Sequence, residues 1–149
     1  GVESYRALYD RVFETYLKGL HPRTLDLLAR SRATGYEYYI GVLFDGRAFV
    51  LEGEKDRITL PSISQCFSAH THPYPNPLPS TADLKTITQM LLSRGVGHVI
   101  SSFGGSLAVY RVRPLSEEDF ELLREAERLN PLNALKLLAK LKSIKVIRF

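Results

Sequence analysis

The sequence predicts an α/β domain of the α+β kind, a mixed and largely antiparallel sheet flanked by helices, and three observations carry that prediction. Apolar residues recur at helical spacing near both ends of the chain, whereas residues of about 37–112 contain short β-branched and aromatic runs. Asp45-Gly46 and Gly104-Gly105 interrupt those runs where hairpins would turn. The 149 residues suit one domain with its own core. It would comprise N-terminal helices (1–35), a central part (about 37–112), and C-terminal helices with a strand (114–149).

Taken in order, residues 3–18 place Tyr5, Leu8, Tyr9, Val12, Phe13, Tyr16 and Leu17 on one helical face, with Gly19 as a stop. His21 then lies in a turn before a second helix that ends near Gly35. "EYYIGVLF" and "RAFVLEGE" read as strands joined by a two-residue type I′ turn at Asp45-Gly46, so that Phe44 faces Arg47 and Glu37 faces Glu54. "DRITLPSI" suggests an edge strand broken by Pro61, and "SQCFSAH" a strand that delivers His70 and His72 at its end. Ser80 to Arg94 reads as a helix capped at Gly95, with Leu84, Ile87, Met90 and Leu91 inside. "GHVISSF" and "SLAVYRVR" are further strands, the first carrying His98 as a packed or capped structural histidine. A helix from about Ser116 to Leu129 follows, then one with Asn130 as N-cap and Pro131 at its first position, then the strand "IKVIRF". In the last helix Leu132, Leu135, Leu138 and Ala139 would face the core, and Lys136 and Lys140 solvent.

Composition narrows the class. At 44% hydrophobic and 24% charged the chain is far from the signature of disorder. It has no apolar run of membrane-spanning length and no signal-peptide layout, so the reading is a soluble, cytoplasmic protein that engages no membrane. The single cysteine, Cys66, excludes an internal disulfide and reads as a small buried hydrophobe. The net charge of +4 is concentrated between Arg128 and Phe149, which hold six Lys or Arg and no acid. Such an end can bind nucleic acid, but a solvated helix face explains it more simply.

The stretch "AHTHPYPNPLPSTADL" holds the chemistry. Residues two apart on a strand point to the same side, so His70 and His72 present both imidazoles together. Two imidazoles suit zinc, which needs a third protein ligand and an open position if it is to catalyse a reaction. Asp83 is the candidate third ligand, on the first turn of the helix that the proline-rich loop leads into. Ser80 and Asp83 also have the spacing of a helix capping box, so either residue has a structural use as well.

These residues resemble the motif of the JAMM (MPN+) zinc isopeptidases: an upstream Glu, then His-Ser/Thr-His, seven residues, and Ser-x-x-Asp. Here "HTHPYPNPLPSTAD" matches at His70, Thr71, His72, Pro73, Ser80 and Asp83. The likeness runs from about Glu37 to the "HVIS" and "AVYRV" strands, and the rest of the chain is less readily matched. The resemblance implies a single JAMM-like domain holding one zinc per chain on His70, His72 and Asp83, with a water in the fourth position. It further implies a glutamate as general base and Ser80 as an oxyanion stabiliser. The implied reaction is hydrolysis of an amide or isopeptide bond after the C-terminus of a ubiquitin-like modifier, or of its conjugates.

Two departures qualify what the family implies. The stretch from Glu37 to His70 is shorter than usual, which bears on the identity of the base, and no large insertion is visible, which favours a small ubiquitin-like modifier or sulfur carrier over ubiquitin. Either Glu37 or Glu54 could approach the metal from the hairpin, and the resemblance selects Glu37 as the base, because the family places its glutamate shortly before a run like "YYIGVL". Two other functions share the motif or the fold: a non-catalytic MPN-type protein-binding scaffold, and a RadC-like protein that uses the basic C-terminal helix on nucleic acid. The sequence leaves the oligomeric state open.

Overall fold

The computed structural model describes residues 1–54 and 63–149. Helix α1 (Val2–Thr15) passes through a π-helical turn (Tyr16–Leu20) directly into α2 (His21–Thr34), which Gly35 ends. There follow β1 (Tyr38–Leu43), β2 (Ala48–Glu52), β3 (Gln65–Thr71), α3 (Thr81–Leu92), β4 (Gly97–Ser102), β5 (Gly105–Arg111), α4 (Glu117–Ala126), α5 (Pro131–Lys140) and β6 (Ile144–Arg148). The fold is thus mixed α and β, as expected. The edge strand expected in "DRITLPSI" lies outside the described residues, apart from Ile63. Among the described residues no helix is long and apolar enough to cross a membrane.

The strands form one sheet in the order β2-β1-β3-β4-β5-β6. Every neighbouring pair is antiparallel except β3 and β4. A parallel pair requires a crossover, and α3 supplies it. The chain must therefore leave the C-terminal end of β3, loop through the prolines and start a helix beside that strand end. In open α/β sheets this kind of crevice is where ligands bind.

Both faces of the sheet are covered. Ala69, Val99, Ala108 and Tyr110 face α1, where they meet Tyr9, Phe13 and Tyr16, and Phe13 stacks on Tyr110 with ring centroids 4.3 Å apart. Ile100, Leu107 and Val109 face the other way, under Leu84, Ile87 and Leu91 of α3, Leu123 of α4 and Leu138 of α5. By strand alternation that second face also carries Glu37, Tyr39, Ser68, His70 and His98.

Several local readings need correction. Gly19 does not stop the first helix: the N–H of His21 reaches back to the Tyr16 carbonyl, the wider spacing of a π turn. Pro22 supplies a reason, because it lacks an N–H and its ring crowds the carbonyl four residues earlier in a regular α-helix. His21 is consequently helical, with its Nδ1 3.3 Å from the Tyr16 hydroxyl. Tyr5 and Leu8 are exposed, while Tyr9, Phe13 and Tyr16 are buried.

The first hairpin is one residue out of the expected register. Its loop is Phe44-Asp45-Gly46, with the Gly46 N–H donating to Leu43 O and the Leu43 N–H donating to Arg47 O. Gly46 takes φ +88°, the left-handed residue of a three-residue loop with a G1 bulge. Leu43, not Phe44, therefore faces Arg47, and Glu37 lies opposite Gly53, whose N–H it accepts at 2.7 Å. The second hairpin turns at Phe103-Gly104, with Ser102 paired to Gly105.

Helix α3 ends at Ser93, and Arg94, not Gly95, enters the left-handed region with φ +70°. A side chain at Gly95 would collide with Met90. Thr88 rather than Met90 completes the buried face of α3. In α5, Ala134 joins Leu135 and Leu138 inside, while Leu132 and Ala139 are exposed, as are Lys136 and Lys140. The six basic residues from Arg128 onward are all exposed. Cys66 is half-buried rather than buried, and that partial burial pushes its thiol pKa up.

Candidate metal centre

Period-two alternation sets the imidazoles. His70 is in β3, and His72 lies one residue past Thr71, the strand's last residue. The His72 N–H is nevertheless fixed, donating to Ser101 O of β4 at 2.9 Å. Thr71 points the opposite way, and its hydroxyl oxygen accepts the Tyr38 N–H at 3.0 Å. That bond ties the start of β1, and with it Glu37, to the strand that carries the histidines.

The loop from Pro73 to Pro79 returns the chain to them. Asn76 shapes it twice: its side-chain oxygen accepts the Leu78 N–H at 2.8 Å, and its carbonyl lies 2.7 Å from His72 Nδ1. Gly104 of the second hairpin packs so closely that a Cβ there would collide with the Pro75 carbonyl, so the hairpin buttresses the loop. Ser80 then caps α3, its hydroxyl oxygen accepting the Asp83 N–H at 3.1 Å while Asp83 Oδ2 accepts the Ser80 N–H at 2.9 Å. The capping box read from the sequence is present, and it locks the Asp83 carboxylate against the histidines.

These elements bring Glu37, His70, His72 and Asp83 together, with one ligand atom from each inside a 4.8 Å cluster that could hold a metal ion. His70 Nε2 is 3.1 Å from His72 Nε2 and 3.3 Å from Asp83 Oδ1, and His72 Nε2 is 3.0 Å from Asp83 Oδ2. Bonds of about 2.0–2.1 Å in a tetrahedron put neighbouring ligands about 3.4 Å apart. The three groups are thus already at close to that spacing. Glu37 Oε1 stands farther off, 3.8 Å from His72 Nε2 and 4.0 Å from His70 Nε2.

The protons agree with a metal. A carbonyl only accepts, so the contact with Asn76 O puts the His72 proton on Nδ1 and turns the Nε2 lone pair of the neutral ring into the cluster. Charge agrees as well. Burial opposes ionisation of Asp83, but the His70 charge and hydrogen bonds from His70, His72 and the Ser80 backbone hold its carboxyl well below the usual range. Burial likewise opposes an imidazolium at His72, yet Asp83, the Asn76 carbonyl and Glu37 raise its pKa overall. A cation bound there would take the place of a proton at His72 that the surroundings otherwise favour. Tyr74 closes one side, its half-exposed ring stacked on His72 with centroids 4.6 Å apart.

The two candidate bases separate. Glu37 is 6% exposed and in the cluster, whereas Glu54 is exposed and sits one residue past Gly53, the partner of Glu37. Ser80 is exposed at the rim as the N-cap of α3. His98 is more than a packed histidine. Its Nε2 lies 2.7 Å from His70 Nδ1 and its Nδ1 2.6 Å from Ser68 Oγ, and burial, then the His70 charge, hold its pKa well below the ordinary value. Sequence reading missed the contacts of His98, Ser68 and Asn76. The spacing of Ser68, two residues before His70 on a strand, was the available signal. No family model matches the chain, and no curated protein matches it.

Proposed function

We propose that the chain is a zinc-dependent peptidase of the JAMM type, hydrolysing the amide or isopeptide bond that follows the C-terminus of a ubiquitin-like modifier or sulfur-carrier protein. The observation that carries this reading is the convergence of Glu37 on His70, His72 and Asp83 in one largely buried cluster. Two imidazoles and one carboxylate suit zinc with a coordination position left open. Bound there, the ion would supply an acidified water and a Lewis acid for a carbonyl.

The chain's own residues do the rest. His70, His72 and Asp83 hold the ion. Glu37, set farther from both imidazoles than Asp83 is, takes a proton from water and returns it to the leaving amine. A carboxylate in that position needs reach rather than a metal bond, which accords with its larger distances. Ser80 Oγ already accepts the Asp83 N–H, and its own hydrogen remains to be donated toward a developing oxyanion. The substrate class follows from the motif's resemblance, and the lack of a large insertion in the sequence supports a small modifier.

The test is cleavage of a ubiquitin-like protein carrying an amide-linked C-terminal reporter, by the full chain with zinc and after chelation. Zinc-dependent release that Glu37→Gln abolishes supports the reading. Intact reporter across ubiquitin and small sulfur-carrier fusions, with the zinc-loaded chain, would refute it in favour of a binding scaffold.

A further inference from the structure

His98 is a fully enclosed histidine that the chemistry above does not use. It lies on β4, 2% exposed, and parallel pairing sets it beside Ser68 on β3. Its ring is tilted 34° to that of His70, with centroids 4.9 Å apart, and both of its nitrogens have partners. A neutral imidazole carries one proton, so a row of such rings admits only two arrangements.

In one arrangement His70 Nδ1–H donates to His98 Nε2, and His98 Nδ1–H donates to Ser68 Oγ. His70 Nε2 is then bare and faces His72 and Asp83. In the other, His98 Nε2–H donates to His70 Nδ1, and the proton of His70 moves to Nε2, where a metal would bind. Ser68 suits the first, because its own O–H has other acceptors in reach, the Tyr39 hydroxyl oxygen and Met90 Sδ at 3.5 Å, so that Oγ can accept from His98. His72 needs no such arrangement, since the Asn76 carbonyl can only accept.

We propose that His98 is a positioning residue for the metal: it accepts the His70 Nδ1 proton, and so orients the ring and keeps the Nε2 lone pair of His70 free to ligate. Ser68 completes the device by holding His98 in the accepting tautomer. This rests on the metal-binding part of the reading above and is independent of the substrate.

The experiment measures zinc affinity of the full chain by competition with a chromophoric chelator, together with the cobalt(II) absorption spectrum and the unfolding temperature of the metal-free protein. His98→Leu removes the acceptor, and His98→Gln restores one, since its amide oxygen can accept from His70 while its NH2 donates to Ser68. Loss of a partner behind a ligating histidine typically weakens metal binding about 10–100-fold, the loss expected for His98→Leu. His98→Gln should recover most of the affinity and a wild-type-like cobalt spectrum, which a purely structural role would not predict. Ser68→Ala should weaken binding less than His98→Leu, and it carries the test together with His98→Gln should His98→Leu fail to fold. Unchanged affinity and spectrum in His98→Leu, or in Ser68→Ala where the leucine variant does not fold, would overturn the proposal. So would a His98→Gln protein that folds normally yet binds zinc no better than His98→Leu or, in its absence, than Ser68→Ala. A wild-type chain that binds no zinc would instead remove the metal reading itself, and this inference with it.

Discussion

Where β4 and β5 face α3, α4 and α5, the sheet contributes Ile100, Leu107 and Val109, and the helices answer with Ile87, Leu91, Leu123 and Leu138. Along β1 and β3 the same face carries Glu37, Ser68, His70 and, just past the strand, His72, with His98 between the two halves. Both halves are buried, but only the first is held by apolar contact. In the second, each buried polar group has a partner, as burial of such groups requires. Helix α3 serves both, its first turn giving Asp83 to the polar half and its later turns giving Ile87 and Leu91 to the apolar half. One crossover helix thus ties a stable core to a cluster that could hold an ion, and the two can be perturbed separately.

The largest separation is expected from Glu37→Gln. It should retain fold and zinc while turnover falls about 10²–10⁴-fold, the usual worth of a general acid-base group. Glu54→Gln, exposed outside the cluster, should stay close to wild type. An active Glu37→Gln beside an inactive, zinc-loaded Glu54→Gln would move the base to β2's end.

The converse change is Leu123→Ala or Leu138→Ala in the apolar half, both fully buried. Large-to-small core substitutions cost about 2–5 kcal/mol, read as a lower denaturant midpoint. Zinc stoichiometry below that midpoint should be unaltered. A smaller effect belongs to Ser80→Ala, which removes one side of the α3 capping box at about 0.5–2 kcal/mol. Because the same box holds Asp83, this variant should also bind zinc less tightly, coupling the halves where Leu123→Ala does not.

The mildest prediction concerns acid. In the metal-free chain Asp83 has a pKa lowered on folding, so its contribution is present above the unfolded value, about 4, and fades as pH falls below it. The raised pKa of His72 works from the other side, contributing below about 6.5 and fading as pH rises through its folded value. Amide protection factors at Ser80 and Asp83 should therefore hold between about pH 6 and about pH 4 in the metal-free protein and fall only as the pH drops below about 4, the range those signs define. Protection in α5 should fall less. Equal losses in both places would mean that the halves unfold as one.

How much of this was legible follows from how local each feature is. Strict alternation exposes His70 and His72 as a pair, and a capping box four residues long exposes Ser80 and Asp83. The hairpin register is one residue off because Asp45-Gly46 carries the signal of a two-residue turn, while the left-handed glycine closes a loop that includes Phe44. Gly19 looked like a helix stop because composition does not distinguish a break from a π turn. His98 could not be placed, since its contacts depend on parallel pairing of β3 with β4, set by a crossover rather than by neighbours in sequence. The Asn76 contact is made by a backbone carbonyl, which any residue could supply.

The central claim is that one metal ion sits among His70, His72 and Asp83, and elemental analysis of the purified full chain after zinc loading and desalting addresses it most directly. The account predicts about one zinc per wild-type chain, as a three-ligand site requires. A folded chain carrying both His70→Ala and His72→Ala should retain none. Stoichiometric zinc in that double variant, or a well-folded wild-type chain that retains none, would contradict the account.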